Sequence, residues 1–282
     1  MTHSQSSRFT MIAIATLSTA MLAAVVPSAF AQAPTAPNSP VPTRIVPTSG
    51  PMQFQEVDTP DGPMTVTTSP NWSGYMVTGS SFTKVLGSWI VPTYHCIKTP
   101  NTGSISAVAM DGSSTTSTTF ESIGTGSNCV GNHFQYYAFY ELYPTASGRI
   151  SNFPVKSGDV ISAEITYSGS QFTVTISNIT QGTFFSKSAV VPRAPRSSAE
   201  WIVTRTNGFT YLMDFGKVSA GIDYTSIADT DWATDSSVTG PIRDFGGRVV
   251  KINMMSSANL VEATPTALTT DGSSFVVNWN HE

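Results

Sequence analysis

The chain has 282 residues and a formal net charge of −4, and only 11% of its residues are charged, against roughly 25% in an ordinary soluble protein. It carries no basic patch or stripe, which argues against nucleic acid as a partner. Its two cysteines and four scattered histidines (His3, His95, His133, His281) give no zinc-ligand spacing, so neither a metal nor a cofactor is expected.

The N-terminus reads as a secretory signal over residues 1–31. Arg8 lies in a short basic start, Met11 to Val26 are mostly apolar, and Ala29-Phe30-Ala31 is an A-x-A cleavage site. Thr16, Ser18 and Thr19 break the apolar run, so it suits export better than a membrane anchor. The mature protein is expected outside the cell, free of the membrane and monomeric. Few carboxylates also mean few groups whose protonation destabilises a fold in acid, which suits an acidic exterior.

Residues 32–68 are rich in proline, with eight prolines from Pro34 to Pro63. Such a stretch favours extended, solvated backbone. It reads as a linker or as a pro-segment, and the sequence does not choose between them. Residues 69–282 fit one large domain. In an exported chain, Cys96 and Cys129 are expected to form a disulfide.

Strand-like runs then follow one another, bounded by Gly, Pro, Asn and Ser. They are predicted at Gly74–Thr78, Val85–Val91, Ser106–Met110, Gln135–Leu142, Val160–Tyr167, Phe172–Ile176, Ala199–Val203, Arg248–Met254 and Ser274–Asn278. Turn signals include Lys156-Ser157-Gly158-Asp159, Ser168-Gly169-Ser170 and Asp271-Gly272. Many short strands joined by tight turns predict an all-β antiparallel sandwich or barrel.

Aromatic residues concentrate in Gln135–Pro144. Alternation puts Tyr137, Phe139 and Glu141 on one face of that strand, which predicts a partly wet cleft with a carboxylate at its end. In Ser198–Thr204, Glu200 shares a face with Ile202 and Thr204.

Taken together, the motifs resemble the glutamic peptidases, or eqolisins, which are acid endopeptidases. In order they are Asn71-Trp72-Ser73-Gly74, Gly87-Ser88-Trp89-Ile90-Val91-Pro92, Met110-Asp111-Gly112 and Ile123-Gly124-Thr125. Tyr140-Glu141-Leu142-Tyr143-Pro144, Lys156-Ser157-Gly158-Asp159, Ser198-Ala199-Glu200-Trp201-Ile202-Val203 and Asp214-Phe215-Gly216-Lys217-Val218 complete the series. The resemblance covers about residues 70–255. It implies a sandwich of two large bent antiparallel sheets with a peptide cleft on a concave face. It also implies a Glu that activates water and a Gln that stabilises the oxyanion, one general base and one preorganised donor.

Carried over residue by residue, the catalytic Glu position falls on Thr204 and the Gln position on Ser122. A cleft Trp falls on Ala107 and a nearby Asp on Gly126, while Asn71, Trp72 and Glu141 match. Tyr137 and Phe139 join the expected cleft. A threonine hydroxyl has no accessible basic form near neutral or acidic pH. Three readings follow. The chain is a secreted pseudo-peptidase that keeps a peptide cleft. Or it is an acid endopeptidase using Glu200 or Glu141, with Glu121 a further candidate acid on the opposite strand face from Ser122. Or Glu141 and Glu200 form the acid pair of a carbohydrate-active sandwich.

Overall fold

The computed structural model describes residues 54–59, 62–96, 98–113, 117–130, 133–206, 209 and 211–281. Residues 1–31, read from the sequence as a secretory signal, and most of the Pro-rich segment lie outside them. The strands are β1 (Phe54–Thr59), β2 (Gly62–Ser69), β3 (Trp72–Thr78), β4 (Lys84–Ile90), β5 (Thr102–Met110) and β6 (Phe120–Val130). Next come β7 (His133–Tyr143), β8 (Ala146–Arg149), β9 (Val160–Ser168), β10 (Gln171–Asn178), β11 (Thr183–Ala189) and β12 (Ser198–Arg205). The last are β13 (Lys217–Ala220), β14 (Trp232–Thr234), β15 (Thr239–Pro241), β16 (Val249–Met255), β17 (Val261–Pro265) and β18 (Phe275–Trp279).

They make two layers. The first sheet runs β1–β2–β16–β3–β12–β5–β6–β7–β8. The second runs β17–β18–β13–β4–β9–β10–β11, with the β14–β15 hairpin against β4. Pairing is antiparallel except between β2 and β16, and β16 also meets β17, joining the layers. This is the all-β sandwich expected from the sequence.

Local chemistry explains the pieces. In β9 and β10 every second residue is buried: Ile161, Ala163 and Ile165, then Phe172, Val174 and Ile176. Gly169 (φ 57°) and Ser170 (φ 71°) supply the two left-handed residues that a tight hairpin needs. In β12, Ala199, Trp201 and Val203 enter the core between the sheets. The Trp201 indole N–H donates to the Leu86 carbonyl of the facing sheet at 2.6 Å. Close approach there requires Gly87, since a Cβ would lie 2.3 Å from Val108 Cγ1 and 3.0 Å from Trp201 Cδ1. Gly74 (φ 145°) is equally constrained, because its Cβ would stand 2.1 Å from the Trp201 carbonyl oxygen.

The aspartates of the sequence motifs hold turns. Asp111 accepts from the Ser197 N–H (2.7 Å), the Arg196 N–H (3.0 Å) and the Thr119 hydroxyl (3.3 Å), fixing the entry into β12. Asp159 accepts from the Lys156 N–H (2.9 Å) and from the amides of Asn178 and Gln181 (2.7 Å each). Asp214 accepts from the Gly216 N–H at 2.9 Å. The expected disulfide joins Cys96 to Cys129, tying the segment after β4 to the end of β6.

Two features depart from the sequence reading. The stretch 32–68 is not linker throughout: Phe54–Thr59 and Gly62–Ser69 pair as a hairpin, and β2 lies along β16, with Thr67 and Ser69 buried. Threonine and valine in β2 supply the strand propensity that the neighbouring prolines mask. β6 was also absent from the expected strands, because Ser122, Gly124 and Gly126 interrupt any apolar alternation.

Candidate functional site

The first sheet presents one face to the second sheet and one away from it. Register fixes what shares the outer face. One row across it reads Val250, Met76, Glu200, Ala109, Ser122, Glu141 and Ser147. The next reads Ile252, Gly74, Ile202, Ala107, Gly124, Phe139 and Arg149. A third reads Trp72, Thr204, Ile105, Gly126 and Tyr137. Trp72, Met76, Ile105, Phe120, Phe139 and Ile252 belong to a hydrophobic cluster separate from the inter-sheet core.

Nearly every residue singled out from the sequence therefore meets on one face: Trp72, Ala107, Ser122, Gly126, Tyr137, Phe139, Glu141, Glu200 and Thr204. Asn71 sits at its edge, just before β3, where the Asn71 and Trp72 N–H groups donate to the Ser69 hydroxyl at 3.2 and 3.1 Å. Tyr137 and Phe139 are not the wet aromatics expected. Both are buried, because they pack within the outer cluster, their rings 6.5 Å apart. Glu121 points the other way: its neighbours Met110 and Leu142 lie in the inter-sheet core.

Ser122 and Thr204 stand two strands and two rows apart, roughly 10 Å across the sheet and 13 Å along it. Ala107 occupies the midpoint of that diagonal. Ser122 is fully buried, and its hydroxyl finds no hydrogen-bond partner among the described residues. The Thr204 hydroxyl donates to the Arg205 carbonyl at 3.2 Å. Gly126 has no room for a carboxylate, since a Cβ would lie 2.9 Å from Tyr137 Cζ and 2.8 Å from Ile105 Cγ1.

Burial raises the pKa of three carboxyls of this region, Glu200, Glu121 and Asp111. Burial pushes Glu200 well above the usual carboxylate range; the Ser198 hydroxyl pulls the other way and the Asp111 charge adds to the rise. Neither Glu200 oxygen has a full hydrogen bond among the described residues. Glu121 is raised by burial and then by the charges of Asp111, Glu200 and Glu141. Asp111 is raised by burial in spite of the donors around it. Glu141 sits directly opposite Ser122, and Glu141 and Glu200 share the face at three strand spacings, about 14 Å between Cα atoms.

One residue that sequence reasoning missed joins the same face. The Arg149 guanidinium lies over the Tyr137 ring, 4.0 Å from its centroid. Its signal in the sequence is faint, a lone arginine in Ser147-Gly148-Arg149 just after the aromatic run.

Comparison with solved structures places this geometry. Scytalido-glutamic peptidase, solved with a peptide-based transition state analog, superposes with a TM-score of 0.60 at 22% identity, covering 75% of this chain and 98% of that one. SCP-B, a member of the eqolisin family solved with the tripeptide Ala-Ile-His, gives 0.57 at 20% identity, again covering 75% and 98%. Aspergilloglutamic peptidase from Aspergillus niger gives 0.51 at 22% identity, covering 63% and 99%. At these identities the likeness establishes the fold. No curated protein matches the sequence. The profile of the Peptidase A4 family matches residues 70–266, and on that span, within the sandwich just described, the chain belongs to the Peptidase A4 family, the glutamic peptidases.

Proposed function

We propose that this chain is a secreted, non-cleaving member of the family that binds peptide along the outer face of its first sheet. The observation that carries the reading is the pair Ser122 and Thr204. By the motif alignment they stand at the family's Gln and Glu positions, and both lie on the outer face with Trp72, Tyr137 and Phe139. A hydroxyl bonded to a backbone carbonyl activates no water. Loss of a general base costs about 10²–10⁴ in rate, and loss of an oxyanion donor about 10²–10³.

The neighbouring acids do not restore the reaction in this reading. Glu200 is four residues from Thr204 along the strand, and a misplacement of about 1 Å already costs about 10²-fold. Burial raises its pKa, which works against the ionised form that a general base needs. Glu121 faces the inter-sheet core. Export rests on the basic start, apolar run and A-x-A site of residues 1–31, and a mature N-terminus near residue 32 in the culture medium is its check.

The test compares the mature chain with the double variant Ser122→Gln/Thr204→Glu on denatured casein from acidic to neutral pH. The native chain is expected to leave casein intact and the double variant to cut it in acid. Cleavage by the native chain, abolished by Glu200→Ala or Glu141→Ala, would overturn the reading and make it an acid endopeptidase.

A further inference from the structure

The outer face ends in an arginine with no acid beside it. Arg149 lies at the last strand of the row containing Ala107 and Phe139. Its Nη1 donates to the Gln135 side-chain oxygen at 3.2 Å. With the Asn128 amide turned to satisfy its surroundings, Nη2 donates to the Asn128 oxygen at 3.0 Å. Both acceptors are neutral. A guanidinium has five N–H groups. Two are committed here, and Nε has no partner among the described residues. No described carboxylate forms an ion pair with it.

The group is also preorganised. Its plane rests on Tyr137, whose own hydroxyl is fixed by the Asn128 amide nitrogen at 3.1 Å; that nitrogen also donates to the Thr206 hydroxyl at 3.2 Å. Thr206 follows Thr204 by two residues. A chain of contacts thus runs from Thr206, just beyond β12, to the guanidinium. Burial lowers the Arg149 pKa, opposed by Tyr137, a sign of a cation partly withdrawn from water. Beside it opens a depression of about 630 Å³ lined by Gln135, Tyr136, Tyr137, Arg149, Phe153 and Pro154.

A fixed guanidinium fork with uncommitted donors, half-withdrawn from water and facing a depression, has the chemistry of a carboxylate receptor. We propose that Arg149, seated on Tyr137 and held by Asn128 and Gln135, is a carboxylate-binding subsite at the end of the peptide face. Its ligand is the C-terminal carboxylate of a peptide or an acidic side chain. The site rests on its own geometry, and the peptide nature of its ligand rests on the reading above.

Calorimetry with four probes tests it: acetyl-Ala-Ala-Phe as the free acid, the same peptide as its C-terminal amide, acetyl-Ala-Asp-Phe amide, and benzoate. The native chain is expected to bind the free acid about tenfold more tightly than the amide, the gain of one charge-assisted fork. Arg149→Met, which keeps the stem over Tyr137, is expected to bring that ratio to about one in a chain that still unfolds cooperatively above the temperature of the titration. Arg149→Lys is expected to restore only part of it. Recovery of affinity by the Asp-containing amide assigns the site to side chains; failure of that peptide assigns it to chain ends. Binding of benzoate to the native chain but not to Arg149→Met, with no peptide bound, keeps the subsite and removes the peptide reading. Equal binding of free acid and amide by the native chain, or a ratio untouched by Arg149→Met, overturns the subsite.

Discussion

The β9–β10 hairpin and the central strand β12 use the same backbone to opposite ends. In the hairpin, one residue in two is buried and the others are partly or fully wet. Seven of the eight residues of β12 are buried, since the second sheet packs on one face and the outer cluster on the other. Of the residues a strand wet on one side hides, most are apolar, and the one buried polar side chain of the hairpin, Asn178 at the end of β10, is hydrogen-bonded to Asp159. A strand buried on both sides must also hide whatever its second face carries, here Glu200 and Thr204. Stability and chemistry therefore compete in β12 and not in the hairpin.

The largest expected effect breaks the inter-sheet side of β12. Trp201→Ala removes a buried indole and its bond to the Leu86 carbonyl. It is expected to cost about 3–5 kcal/mol, read as a loss of denaturant midpoint. At the other extreme of exposure, Phe184 on β11 is 67% exposed, and Phe184→Ser is expected to stay within about 0.5 kcal/mol. Equal costs at the two sites would remove the contrast.

On the outer side of β12 the sign reverses. Glu200 has a raised folded pKa, above an unfolded value of about 4.3. Its contribution is fully present below the unfolded pKa and is lost as pH rises through the folded one. Glu200→Gln, which cannot ionise, is expected to flatten the gain of melting temperature on acidification. A lower melting temperature for Glu200→Gln at pH 7 would show that the ionised carboxylate is itself stabilising.

How far the sequence could be read follows the same division. The hairpin was legible because its alternation and its Ser168-Gly169-Ser170 turn are local. β7 and β12 were legible as strands, and alternation assigned Glu200, Thr204, Tyr137 and Phe139 to the right faces. β6 was not, because a strand packed on both sides by Ser, Gly and Thr has no apolar period to detect. The β1–β2 hairpin was hidden among prolines, since its partner β16 lies far along the chain. Arg149 escaped for a related reason: its meaning depends on Tyr137, Asn128 and Thr206, which only strand pairing brings together. The motif aspartates read as family markers, and the structure shows them tying turns.

A more modest effect sharpens the comparison with a carboxylate of the opposite kind. Asp235 is also withdrawn from water, and burial alone would raise its pKa. The Ser237 N–H, the Arg248 guanidinium and the Val238 N–H outweigh that and hold it at about 2. Its contribution is present above an unfolded value of about 3.9 and is lost as pH falls through about 2. Arg248 is 34% exposed, so the pair is screened, and Asp235→Asn is expected to cost about 1 kcal/mol at pH 7. Between about pH 4 and pH 2 that cost should fade, whereas Glu200, with its raised pKa, pulls the other way on acidification. A fold whose central carboxyls favour acid and whose ion-paired Asp235 resists it only at the lowest pH gains stability on leaving neutrality. A melting temperature that fell steadily from pH 7 to pH 4 in the native chain would show that ion-paired carboxylates such as Asp235, and not β12, set its response to acid.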